Sequence, residues 1–278
     1  MKGMPDASRA GQHADDPTAY WDGVARAAHD APAALWRLHA DQATQALLDR
    51  WLPAGELGRV LKTDLYDESR TDGLVPALAA RATSVVGIDV SLIVARAAGP
   101  RAAVCAVAGD VRRLPFRADS FDVIVSNSTL DHFASHGEIE RGLREIERVL
   151  APDGVLIVTL DNPRHPLIRL RNALAPTWQR LRVVPYAVGA THGPRGLRAA
   201  LESSGFTLVE LTAVHHFPRL VLVALERLLG ARASARALRI ARSTEFLGRW
   251  PTRYWTGQYV AALARPRRAA RAAHEAAA

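Results

Sequence analysis

Residues 84–127 read SVVGIDVSLIVARAAGPRAAVCAVAGDVRRLPFRADSFDVIVSN. Three short runs rich in Val, Ile and Ala stand out in it, at Ser84–Asp89, Ala103–Ala108 and Phe121–Ser126. An Ala/Arg-rich helical stretch at 91–98 separates the first two, and a turn with Gly109 and Pro115 separates the others. Each run is apolar at nearly every position, the pattern of a strand covered on both faces rather than on one. Such strands alternating with helices build parallel βαβ units, because a parallel partner needs a crossover of about a dozen residues.

The same rhythm extends outward. Arg59–Leu65 precedes the stretch and Gly154–Leu160 follows it, with helices predicted over 72–81 and 137–150. Beyond Leu160 the pattern loosens into a helix at 194–204, a strand at 206–214, a helix at 218–230 and a strand at Gln258–Ala264. The total is seven strands in one open, doubly wound, Rossmann-like α/β sheet, assigned to residues 57–264. Apolar residues at helical spacing from Tyr20 to Trp51, divided at Pro32, predict a helical extension over 18–56. Residues 1–17 read as a flexible leader and 265–278 as a frayed Ala/Arg-rich tail.

Composition narrows the class. The 278 residues are 49% hydrophobic and 23% charged, which excludes a disordered tail, a collagen repeat and a disulfide scaffold. The only cysteine, Cys105, has no intramolecular partner. No run approaches the roughly 20 apolar residues that span a bilayer, and no secretory h-region opens the chain, so the expected location is cytoplasmic. Charge is uneven: residues 1–150 hold 17 Lys+Arg against 21 Asp+Glu, and residues 151–278 hold 19 against 7. The basic half suits an anionic substrate, nucleic acid or an acidic membrane surface. Since 34 of the 36 cations are Arg, a coding bias explains it equally well.

In a sheet of this class, ligands bind beyond the carboxyl ends of the strands, so the loops after each strand are the places to inspect. Asp89, ending the second strand before Val90 and Ser91, is placed to accept two ribose hydroxyls or to cap the following helix. After the third strand, Asp110 is a candidate acceptor for an exocyclic amine, with Val111 and Leu114 as apolar surface, or else an ordinary turn residue. After the fourth come Ser126, Asn127, Asp131 and His132; the last two are adjacent titratable groups suited to general-base work or to capping. The fifth strand exits through Asp161-Asn162-Pro163.

Three ordered phrases, VVGIDVS, GDVRRLPFRADSFDVIVSNSTLDHF and EIERVLAPDGVLIVTLDNP, resemble the class I S-adenosylmethionine-dependent methyltransferases, most closely their small-molecule branch. The resemblance covers residues 57–162 well and implies that the strand near Tyr259–Leu263 is a final antiparallel one. It implies S-adenosylmethionine as cofactor, with Asp89 and Val90 at the ribose, Asp110 and Val111 at the adenine, and Ser126 and Asn127 beside the methionine portion. One motif departs. Where that family carries an acidic residue and a glycine-rich loop, this chain has Lys62-Thr63-Asp64-Leu65-Tyr66-Asp67-Glu68. Either Lys62 meets the methionine carboxylate while Asp64 or Asp67 meets its amine, or Lys62 pairs only with Asp64 or Asp67.

The leading expectation is methyl transfer to a small, anionic or lipid-like acceptor, with Asp131 and His132 as catalytic residues, Asn162 and His165 nearby, and Tyr20 and Trp21 as a lid. Arg164, Arg169, Arg171, Arg180, Arg182 and Arg195 are the candidate anion contacts. The other readings are a non-catalytic binding protein on the same fold and a nucleic-acid methyltransferase. No base-flipping tetrapeptide or appended nucleic-acid module supports the last. No metal-ligand cluster is evident, and a G-x-G-x-x-G after the first strand is absent, which disfavours a nicotinamide enzyme. No integral membrane segment or nucleic-acid partner is expected. Peripheral membrane contact, through the helix at 218–230, remains open.

Overall fold

The computed structural model describes residues 16–268 apart from 28–33, 103, 176–187 and 230. The chain runs α1 (Pro17–Ala27), α2 (Ala34–Trp51), β1 (Arg59–Thr63), α3 (Val75–Ala79), β2 (Ser84–Asp89), α4 (Leu92–Ala102) and β3 (Cys105–Ala108). It continues through β4 (Phe121–Asn127), α5 (His136–Val149), β5 (Leu150–Asp161), α6 (Pro166–Ala173), α7 (Pro194–Ser203) and β6 (Phe206–Val214). Last come α8 (Arg219–Leu229), α9 (Ala231–Ser243), the short α10 (Arg253–Thr256) and β7 (Tyr259–Pro266). The seven strands form one sheet in the order β3-β2-β1-β4-β5-β7-β6, with β7 antiparallel to both neighbours and the other pairs parallel. The order reverses between β1 and β4, so the crevice lies above their carboxyl ends.

Successive strand residues feed opposite cores, which is why the runs are apolar throughout. Leu61, Ile88, Ile124 and Leu156 pack beneath Ile139, Leu143 and Ile146 of α5. Val60, Val123, Val125 and Ile157 pack on the other face against Leu47, Leu48 and Trp51 of α2. Each such aliphatic chain contributes roughly 1.5–3 kcal/mol on burial. Helix α5 also starts cleanly: Ser135 and Glu138 form a reciprocal capping box.

Several boundaries move. β1 ends at Thr63 rather than Leu65, and the helix expected over 72–81 shrinks to Val75–Ala79, leaving a long loop at 64–74. Asp64 causes the break: its φ of 72° turns the chain out of the extended region. β5 begins at Leu150, paired with Phe121, four residues before the apolar run. β7 runs to Pro266, so Arg265 and Pro266 belong to the sheet and not to the tail. Helices α6 and α9 were not expected. Among the described side chains of α9 the buried positions are the alanines Ala237 and Ala241, too weakly apolar to mark a helix face. The 1–15 part of the leader, the break at Pro32 and the tail from 269 fall outside the described residues.

Candidate functional site

The loop after β1 is built around a buried ion pair. Lys62 Nζ donates to Glu68 Oε2 at 2.9 Å and to the Asp64 carbonyl, and both side chains are almost wholly buried. Glu68 Oε1 accepts from Leu74 N at 3.0 Å, so one carboxylate closes the loop at both ends. Gly73, with φ of 55°, makes room for it: a Cβ there would stand 2.4 Å from Glu68 Oε1. Burial works against the Lys62 ammonium, but Glu68 and Asp64 outweigh it and hold the pKa above its ordinary value. The partner is therefore Glu68, not the Asp64 or Asp67 carboxylate; Asp67 faces Arg37 at 3.4 Å instead.

Asp64, which stands where the related motif carries a glycine, adopts a left-handed conformation with φ of 72°. Aspartate tolerates that region because its side chain bonds locally, here accepting from Tyr66 N at 2.8 Å. The next amide, Leu65 N, donates to Asp89 Oδ2 at 2.9 Å, and Ser91 N donates to Asp89 Oδ1 at 2.8 Å. Each Asp89 oxygen thus holds one backbone amide and keeps a lone pair for a further donor. Burial, and then the Asp89 charge, push the Asp64 carboxyl well above the usual range; burial also raises Asp89, against the two amides. Two buried carboxyls beside one another form an enclosure that a cation would stabilise.

Helix α1 closes one side of this crevice. Asp22 Oδ1 accepts from Ser91 Oγ and from Ile93 N at 3.2 Å, capping the start of α4 from outside. The docking brings the Trp21 ring to 4.9 Å from that of His132, with Tyr20 edge-on to Trp21. Nothing in the sequence marks Asp22 for this role, because its partners lie about seventy residues away.

On the far side, Ser128 adopts φ of 51°, and its hydroxyl donates to Asp131 Oδ2 at 3.0 Å. Asp131 also accepts from Asp161 N at 2.7 Å. Burial and the Asp161 charge push the Asp131 carboxyl up to about 7. Burial lowers His132, leaving its imidazole neutral near pH 7. Asp161 pairs with Arg171. The segment 188–192 straps over this loop: Ala190 N donates to Phe133 O, and Thr191 to Asp161 O. Gly189 permits the approach, since a Cβ there would lie 2.3 Å from Asp131 O.

Other expected residues are already engaged. Ser126 is fully buried and its hydroxyl accepts from Thr63 at 2.9 Å; Asn127 Oδ1 accepts from Thr159. The Asp110 carboxylate is held by Arg112, which reaches on to Glu138, while Val111 and Leu114 sit in the main core. Val90 is half-buried beside Asp89. Asn162 braces the chain ahead of β7, donating to Tyr254 O and Gly257 O. His165 is buried at the start of α6. Arg164 stacks on Trp255, Arg169 and Arg195 are exposed, and Arg180 and Arg182 lie outside the described residues. Unforeseen was a buried cluster of His39, His215 and Glu245, with Thr44 on His215, locking α2 to the β6 exit. Among the described residues no group of three or more His, Cys, Asp or Glu is placed to hold a metal.

Residues 70–158 match the family described as a methyltransferase domain. Over 107 residues the chain is 33% identical to a malonyl-[acyl-carrier protein] O-methyltransferase of Halorhodospira halophila, covering 37% of this chain and 35% of that protein. Over 65 residues it is 38% identical to the human protein named "Probable tRNA methyltransferase 9B", covering 23% of this chain and 13% of that one. The matches span about a third or less of these curated relatives. A solved geranyl diphosphate C-methyltransferase of Streptomyces coelicolor, in complex with Mg2+, geranyl diphosphate and S-adenosyl-L-homocysteine, superposes with a TM-score of 0.55 at 18% identity. That superposition covers 83% of this chain and 80% of the other. The fold is that of the class I S-adenosylmethionine-dependent methyltransferases.

Proposed function

We propose that this protein transfers the methyl group of S-adenosylmethionine to a small-molecule acceptor in the crevice between Asp89 and the Asp131–His132 pair. The observation that carries the reading is Asp89: it ends β2 beside β1, and two backbone amides fix its carboxylate with a lone pair open on each oxygen. That is the geometry needed for two vicinal ribose hydroxyls. Asp64 preserves the turn of the preceding loop, and the Asp64–Asp89 enclosure favours a positively charged ligand. The Lys62–Glu68 pair is internal to the loop, so Lys62 acts as a brace and the carboxylate end of the cofactor is held elsewhere.

When bound, the cofactor supplies a methyl already activated on a sulfonium sulfur, so the protein's part is orientation, exclusion of water and removal of the acceptor's proton. Trp21 covers the crevice from α1 and the 188–192 strap covers it from the other side. His132, neutral near pH 7, takes the proton from the acceptor, and the Asp161 and Asp89 charges favour the imidazolium that results. Arg171, paired with Asp161, is a cation beside His132 for an anionic acceptor.

Calorimetric titration with S-adenosylmethionine and S-adenosylhomocysteine tests this. Saturable micromolar binding is the expected result; no binding near millimolar concentration would leave a protein that keeps the fold and lost the chemistry. A nucleic-acid acceptor is favoured by one observation, the +12 balance of residues 151–278, from 19 cations against 7 acids. A salt-sensitive gel shift with RNA would establish it in place of a small molecule.

A further inference from the structure

The insertion between β6 and β7 presents a surface that methyl transfer does not use. β5 and β6 both run antiparallel to β7, so β6 exits at the same edge of the sheet as β1, β2, β4 and β5. The hairpin of α8 and α9 therefore stands at the edge that carries the crevice. Its inner side rests on α2, through Leu222, Ala237 and Ala241 against Leu35 and Trp36.

The outer side is unusual. Opposite Leu222, helix α8 exposes Leu220 at 68% and Leu228 at 79%, one face at i and i+8, with Val221 beside them. Ile240 on α9 is exposed, and Phe246 and Trp250 follow in the next turn, exposed and in ring contact. An ordinary outer helix face is polar, so this set of exposed large apolar side chains marks a contact surface. Residues 217–255 contain eight Arg, no Lys and two acids, Glu226 and Glu245. Both acids turn inward: Glu226 accepts from Leu35 N, and Glu245 from the amides of His215 and His216. Among the described residues the exposed charged groups of α8 and α9 are arginines, Arg227, Arg236, Arg239 and Arg242 among them.

We propose that this α8–α9 face docks on an anionic lipid surface, laying the crevice edge against the headgroups. Leucine and tryptophan enter the interfacial region, while guanidinium groups pair with lipid phosphates. Charge complementarity selects this occupant over a second copy of the chain, whose identical face would repel it. Among the described residues no helix is long and apolar enough to cross a membrane, so the contact lies on the bilayer.

Vesicle flotation tests the proposal independently of cofactor binding. Phosphatidylcholine vesicles with about 30% phosphatidylglycerol are expected to retain the full chain at least about tenfold better than phosphatidylcholine alone, with loss at high salt. The double variant Leu220→Glu/Leu228→Glu changes only exposed positions, and is expected to lose vesicle binding about tenfold or more with circular dichroism and S-adenosylmethionine titration unchanged. Arg236→Glu/Arg239→Glu is expected to erase the preference for anionic lipid. Failure of the wild-type chain to bind anionic vesicles at low salt would overturn the proposal. So would unchanged binding by the leucine variant, a dimer in sedimentation abolished by that variant, or RNA binding lost in the arginine variant without lipid binding.

Discussion

Glu68→Gln is the sharpest perturbation of the divergent loop. The amide keeps the shape and the acceptor for Leu74 N but removes the charge facing Lys62 at 2.9 Å. At that distance two unit charges attract by about 6 kcal/mol at an effective dielectric constant of about 20. Desolvation of both groups offsets much of this attraction, yet removing one partner leaves the other buried and unpaired, at a typical cost of about 3–5 kcal/mol. For a chain of this size the unfolding midpoint falls by about 2–4 °C for each kcal/mol, so a drop of about 6–20 °C is expected. Urea unfolding of Glu68→Gln, Lys62→Met and the double variant gives the coupling directly. The double variant should recover about 2 kcal/mol or more relative to the sum of the singles. Because Glu68 also ties Leu74 to the loop that leads to Asp89, cofactor affinity should fall with the single variant. A loss below about 1 kcal/mol for Glu68→Gln, with no coupling to Lys62, would refute the view that this pair organises the loop.

Three further outcomes are expected. Asp89→Ala should weaken S-adenosylmethionine binding more than about tenfold by calorimetry, since it removes a charge-assisted acceptor pair; unchanged affinity would reject the ribose role. His132→Ala should abolish turnover while keeping cofactor affinity, and the wild-type rate should fall on the acid side as the imidazole takes up a proton below its ordinary pKa; full activity of the variant would remove His132 as the base. Asp131 carries a carboxyl raised from 3.8 to about 7, so the folded chain binds that proton more tightly than the unfolded chain. Its contribution is therefore fully present below about pH 4 and lost as pH rises through about 7, by up to about 4 kcal/mol. Asp131→Asn should flatten that decline in unfolding measurements from pH 5 to 8; parallel profiles for variant and wild type would show that the carboxyl is not held neutral.

The sequence by itself determined the alternation of doubly covered strands and helices, the seven-strand count, and the positions of Asp89, Asp131 and His132 at strand exits. These follow from period, composition and short-range turn chemistry, all of which a linear reading samples directly. It also showed that Lys62 breaks the expected motif. Only the tertiary structure decided what Lys62 does there. Its partner is Glu68 because Asp64 turns left-handed and folds the next residues back over β1, a loop path with no periodic signal. Likewise Asp22 meets Ser91, Trp21 meets His132, and Glu245 meets His39 and the amides of His215 and His216, across long stretches of chain. Such pairings depend on how helices dock on the finished sheet. The two inward-turned acids of the α8–α9 region are the same case: composition shows eight arginines and two glutamates, and only packing turns the acids inward and leaves Arg227, Arg236, Arg239 and Arg242 exposed.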